Sequence, residues 1–129
     1  MSTNRRMKRS RVETFYAKQR VSVKDSEGGT YAAYGEASEL KGEIWPASGK
    51  VQAETYGERL KYIRNVRIRG SYSTETDDKG LVHYILSDGT DLKENDGLCL
   101  NAPVRSDPDY RIISIKPYKP LLLEAEKII

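Results

Sequence analysis

Cysteine, histidine, tryptophan and phenylalanine each occur once in this chain, and that scarcity removes several chemistries at the outset. Cys99 has no partner for an internal disulfide, so nothing asks for an oxidising compartment, and its neighbours Leu98 and Leu100 point to simple burial. His83 and Cys99 stand apart rather than in the Cys/His cluster of a zinc site. No metal is assigned, and His83 reads as a partly buried histidine on a strand. No apolar run approaches the roughly 20 residues that span a bilayer, and the first residues carry no apolar secretory segment. The expectation is a chain of cytosolic origin with no membrane partner.

Catalytic signatures are equally sparse. The sequence has neither a GxxxxGK[ST] phosphate loop nor a nucleophile elbow. Asp77 and Asp78 are adjacent, so on a strand they would face opposite sides instead of converging on a substrate. Asp88, Asp91, Glu94 and Asp96 crowd "SDGTDLKEND", but without the EF-hand spacing around a central glycine and closing glutamate, so they read as a solvated acidic loop. The chain is expected to be no enzyme and to need no cofactor.

What is present is one domain's worth of chain. At 129 residues it can bury a real core without staples. Hydrophobic residues make up 37% and charged residues 32%, a wet balance that further burial through self-association would suit. The net charge of +3 is unevenly placed, with Arg5, Arg6, Lys8, Arg9 and Arg11 gathered at the start. Residues 1–15 therefore read as a basic extension and residues 16–129 as a single β domain. Such a cluster could neutralise phosphates in a salt-sensitive way, or simply remain solvated.

Along the chain the pattern is mostly strand. In residues 17–24, Ala17, Gln19, Val21 and Val23 alternate with Lys18, Arg20, Ser22 and Lys24, the period of a strand with one wet face. "DSEGG" breaks it as a loop. Residues 31–39 are ambiguous: the alanines and glutamates suit a short helix, whereas Tyr31, Tyr34 and Gly35 do not. Residues 40–45 form a strand stopped by Pro46, which lacks a ladder amide. An interruption at about residues 47–61 follows, a long loop in which 51–55 could make a turn of helix before Gly57 splits it.

A strand over residues 62–72 comes next, with Arg64, Val66 and Ile68 on one face and Ile63, Asn65, Arg67 and Arg69 on the other. An acidic turn over 73–80 would centre a hairpin with a strand over 81–86, and "SDGT" carries the Asp-Gly of a tight turn. Short strands at 97–101, 110–116 and 121–127 alternate with proline-bearing loops. The fold expected is mainly β, a small antiparallel barrel or sandwich with a long loop between two central strands.

Arg64, Arg67 and Arg69 could form a basic stripe, but cations on a wet strand face also discourage edge-to-edge pairing. Tyr31, Tyr34, Tyr56, Tyr62 and Tyr72 could stack on bases; tyrosine is also favoured in strands and at protein interfaces, and interface is the preferred reading.

The order "QRVSV", a glycine-bearing turn, "LKGEIWPASGKVQAETYGERLKYIRNVRIRG", "NDGLCL" and "YRIISI" resembles the head-closure, or stopper, family of tailed bacteriophages, also described as head-tail joining proteins. The residues that carry the resemblance are Arg20 with Val21 and Val23, the corner Trp45, Pro46, Ser48 and Gly49, the strand from Val66 to Arg69, and Tyr110 with Ile112. It implies a homo-oligomeric ring in the virion neck, assembled in the bacterial host cytoplasm. Portal and adaptor proteins would lie above it, tail terminator or tail tube proteins below, and packaged double-stranded DNA in its channel. The loop would face that channel through Ser48, Gly49, Lys50, Gln52, Glu54, Tyr56, Gly57, Glu58, Arg59 and Lys61, with Lys50, Arg59 and Lys61 supplying a ring of cations. A loop in that role is expected to be mobile.

Two other readings stay open. One is a small basic barrel that binds nucleic acid through its tail and tyrosines. The other is a different neck component, such as a tail terminator or tail-completion protein.

Overall fold

The computed structural model describes residues 11–129. Nine strands account for most of them: β1 (Glu13–Lys24), β2 (Thr30–Pro46), β3 (Ile63–Ile68), β4 (Tyr72–Thr76), β5 (Val82–Leu86), β6 (Asp91–Leu92), β7 (Gly97–Cys99), β8 (Tyr110–Lys116) and β9 (Leu121–Lys127). A short helix α1 (Lys50–Tyr56) and a 3-10 segment (Gly57–Tyr62) lie between β2 and β3. Six strands close an antiparallel barrel in the order β1-β2-β3-β9-β8-β7, and β4-β5-β6 form a second sheet.

Alternation explains which residues fill the barrel. On β9, Leu121, Leu123 and Ala125 are fully buried, and opposite them on β3 stand Ile68, Val66 and Arg64. On β8 the buried pair is Ile112 and Ile115, an odd spacing that a register shift between Ile112 and Ser114 makes possible. Phe15, Ala17, Leu40, Leu98 and Tyr110 complete the wall. Leu86 and Leu92 from the second sheet belong to the same cluster, so the two sheets share one core. Gly42 sits where β2 and β3 run closest: a Cβ there would collide with the Arg67 carbonyl, which excludes any side chain.

Several sequence expectations are corrected in detail. β1 begins at Glu13 and Phe15 is 1% exposed, so the barrel takes in residues assigned to the basic extension. The ambiguous residues 31–39 are the middle of β2, because β1 supplies a partner for nearly every one of them. The strand expected over 62–72 is two strands in different sheets. The chain turns at Gly70, whose φ of +100° suits glycine, and β4 leaves the barrel.

The hairpin expected near 73–80 is present, but its turn is confined to Asp77 through Gly80. Residues 72–76 are strand, and the Asp77 carboxylate accepts the amides of Lys79 and Leu81. The acids of "SDGTDLKEND" are not uniformly solvated. Asp88 and Glu94 are exposed, Asp91 is half-buried, and Asp96 is 1% exposed with the Arg20 and Lys93 amides and the Lys93 ammonium on its carboxylate. Burial pushes the Asp96 carboxyl up, against the pull of Lys93.

Candidate functional site: the segment between β2 and β3

The segment is built to lie on the barrel wall. Gly49, at φ +91°, turns the chain out of β2, and Gly57, at φ +55°, separates α1 from the 3-10 segment. Within this path Gln52, Tyr56 and Arg59 fall at i, i+4 and i+7, one face of a helix. All three turn towards the outward face of β3 and β9, where Asn65, Glu124 and Glu126 wait.

Gln52 is fully engaged. Its Nε2 donates to Asn65 Oδ1 at 2.6 Å and to Glu124 Oε2 at 2.7 Å, while its Oε1 accepts from Asn65 Nδ2 at 3.3 Å and from the Ser48 amide at 3.0 Å. The last contact reaches back over the start of the helix, as a capping box does, and replaces the side-chain cap that Gly49 cannot provide. The Tyr56 hydroxyl donates to Glu124 Oε1 at 2.7 Å, and Lys116 Nζ stands 3.4 Å from the same oxygen. Arg59 grips Glu126 with two parallel bonds of 2.8 and 2.7 Å, the bidentate geometry that suits a guanidinium.

Glu124 is the centre of this network and is 4% exposed. Burial works to raise its pKa, but the hydrogen bonds from Gln52 and Tyr56 and the nearby Lys116 prevail and hold it below the usual range. Burial pushes the Tyr56 phenol up, and its hydrogen bond to the Glu124 carboxylate adds to the shift. Both groups therefore stay in the forms that make the contact. A satisfied ionised acceptor facing a phenol and an amide is a clasp, not a proton-transfer pair.

The expected channel residues thus divide in two. Gln52 and Tyr56 are half-buried against the wall, Arg59 reaches it from an exposed position, and Ser48, Gly49, Lys50, Glu54, Gly57, Glu58 and Lys61 are exposed. Of the three cations expected to act together, Arg59 is committed to Glu126, Lys50 is exposed, and Lys61 lies 5.3 Å from the Tyr62 ring. The expected loop contains the turn of helix foreseen near residues 51–55, as α1, followed by a 3-10 segment, and side chains contact the wall at three points. Among the basic tail residues Arg11 is exposed beside Glu43, Trp45 and Arg67; Arg5, Arg6, Lys8 and Arg9 lie outside the described residues. Arg67 stacks 4.9 Å from the Trp45 ring and pairs with Glu43 at 3.1 Å, so this arginine braces β2 against β3.

Comparison of the chain with protein-family models, with curated proteins and with solved structures finds no match. No helix among the described residues is long and apolar enough to cross a membrane.

The anchors Asn65, Glu124 and Glu126 escaped sequence reasoning. Their signal was faint but real: Glu124 and Glu126 alternate with Leu123 and Ala125 on a strand that starts with three leucines, and Asn65 sits between Arg64 and Val66. Reading i, i+4, i+7 from Gln52 would have supplied the other half.

A second polar cluster lies on the small sheet. His83 on β5 places Nδ1 2.9 Å from both oxygens of Asp91 and Nε2 2.9 Å from Asp77 Oδ2. With an acceptor at each ring nitrogen, the imidazolium fits better than either neutral tautomer. The hydrogen bond to Asp77, then that to Asp91, raises the His83 pKa, and the bond from His83 lowers that of Asp77. The histidine's contribution is present below its ordinary value of about 6.5 and is lost as pH rises through the raised folded value. The carboxylate's contribution is lost only when pH falls through the lowered value of Asp77. His83→Gln is therefore expected to melt well below the parent near pH 5.5, with the gap narrowing steadily towards pH 9. Thermal melts across that range check it, and a gap independent of pH would refute the ionised cluster.

Proposed function

We propose that this chain is a structural subunit of a bacteriophage neck. It forms a ring beneath the portal and adaptor that closes the DNA-filled capsid, retains the DNA and offers a docking surface for the tail. The observation that carries the reading is the placement of residues 48–61: the order of sequence motifs puts an interruption between two central strands, and in the fold that interruption leaves and re-enters neighbouring strands of a small closed barrel. A closed barrel suits a ring subunit because it keeps its shape while neighbours press on it. The clasp on Glu124 and Glu126 gives the segment a defined resting position from which contact with DNA or a neighbouring subunit could release it. A structural part needs no convergent catalytic set, and every polar contact described above is explained by holding chain to chain.

The test is addition of the purified protein to DNA-filled, tailless heads, followed by imaging of the portal vertex. New ring density with DNA retained is the expected result. If the vertex stays bare while the monomer binds free nucleic acid tightly and in a salt-dependent way, the neck reading fails and the barrel is a nucleic-acid module. Density on tail tubes instead of heads would make it a terminator.

A further inference from the structure

β1 and β2 continue past the barrel as a two-stranded arm. β7 pairs with β1 only as far as Lys18, and β3 pairs with β2 only from Gly42 onward. Beyond those points Arg20–Lys24 and Thr30–Tyr34 pair with each other alone, from Arg20↔Tyr34 to Lys24↔Thr30. An isolated pair of strands in water is marginal. This one also shows Val21 and Tyr31 to solvent at 42% and 54% exposure, on the face they share with Val23 and Ala33. Both outer edges are open. On β1 Asp96 covers the edge at Arg20 by taking its amide, and beyond that point alternation turns the amides of Ser22 and Lys24 to the same side, where no strand pairs with them. On β2, residues 30–40 have no strand partner other than β1.

The two edges carry opposite charge. From Gln19 to Lys24 the β1 edge holds Arg20 and Lys24 and no acid, whereas the β2 edge is uncharged from Thr30 to Tyr34 and carries Glu36 and Glu39 at the base of the arm, so the charges meet when one arm is staggered along the next. None of the ion pairs among the described residues uses Arg20, Lys24 or Glu36, and Glu39 has only an exposed contact of 3.9 Å to Lys41. Like charges oppose a two-fold contact of β1 with β1 or of β2 with β2. Opposite charges favour β1 of one copy beside β2 of another. Because β1 and β2 are antiparallel, arms that point the same way place these edges antiparallel as well, so the ladder can continue from copy to copy.

We infer that the arm is a self-association element: the basic β1 edge of one copy adds to the acidic β2 edge of the next, joining copies head to tail through a continuous antiparallel sheet. The contact is heterologous, so it generates a ring when the rotation per copy closes. It also sets the exposed Val21 and Tyr31 stripes of neighbouring arms side by side on one face of the continuous sheet, where they cover part of one another. This deepens the ring reading above by naming its contact, while the association itself requires no phage component.

Sedimentation velocity on the full chain at low salt tests it, with circular dichroism to check that each variant is folded. The parent is expected to sediment well above its 14.6 kDa monomer, with a mass that rises with concentration and falls as salt is added. Arg20→Glu with Lys24→Glu should remain monomeric, and so should Glu36→Lys with Glu39→Lys. An equimolar mixture of the two folded variants should regain association, because each then carries the edge that the other needs, and a chain with all four changes should regain it alone. A parent that stays monomeric throughout, reversed variants that associate like the parent, or a mixture that fails to recover would each overturn the inference. Association through the arms without docking on heads would leave it standing and remove the neck reading. Docking on heads by rings of the charge-reversed variants would do the opposite.

Discussion

Phe15→Ala is expected to lower the unfolding free energy by about 3–5 kcal/mol, the range for emptying a large buried aromatic site. Phe15 is 1% exposed and pairs with Leu40 at the seam where β1 meets β2, so its ring touches the part of the core that closes the barrel. Composition places this residue inside a basic extension, where the same substitution would change stability by no more than about 0.5 kcal/mol. Urea denaturation distinguishes the two. A near-neutral result would mean that β1 does not begin at Glu13 and that the barrel closes without its first turn of strand.

Glu124→Leu should remove about 2–3 kcal/mol, because it leaves the Gln52 amide, the Tyr56 hydroxyl and the Lys116 ammonium without their shared acceptor while the site remains mostly buried. Tyr56→Phe, which deletes one hydrogen bond to a carboxylate, should remove about 1.5 kcal/mol. The loss is local as well as global: amide hydrogen exchange across residues 50–62 should accelerate in both variants, with the β3 and β9 ladders affected less. If Glu124→Leu left both the midpoint and the exchange of that segment unchanged, the clasp would not be what holds α1 to the wall. The neck reading makes the same variant informative in a second way, since a segment released from the wall should alter DNA retention in filled heads.

Much of the fold was legible because period-two alternation is a local property. The outer half of β1 announces itself that way, β8 and β9 as short apolar runs between proline-bearing loops, and "SDGT" marks its turn through the Asp-Gly pair. The misread stretches are those where a distant partner overrides a weak local preference. Residues 31–39 are extended because β1 pairs with them, not because alanine and glutamate favour a strand. Ile112 and Ile115 both face inward only because the ladder slips between them, and no count along the sequence foretells that slip. Gly70 looks like any surface glycine until β3 and β4 are seen to part company there.

For the candidate site the division is sharper. Sequence alone determined that an interruption of about fifteen residues separates two central strands and that Gly49 and Gly57 punctuate it. It also determined the opposite charges of "QRVSVK" and "GEASE". Only the tertiary structure decided that the interruption lies against the wall, since Glu124 and Glu126 are more than sixty residues away from their partners and no local propensity can join them. It likewise decided that "QRVSVK" runs out along the arm while "GEASE" lies at its base, on a β2 edge that no strand but β1 covers. Charge is written residue by residue, but whether a strand edge is covered depends on which strands the closed barrel has already used, and the barrel uses β7 and β3 only at the base.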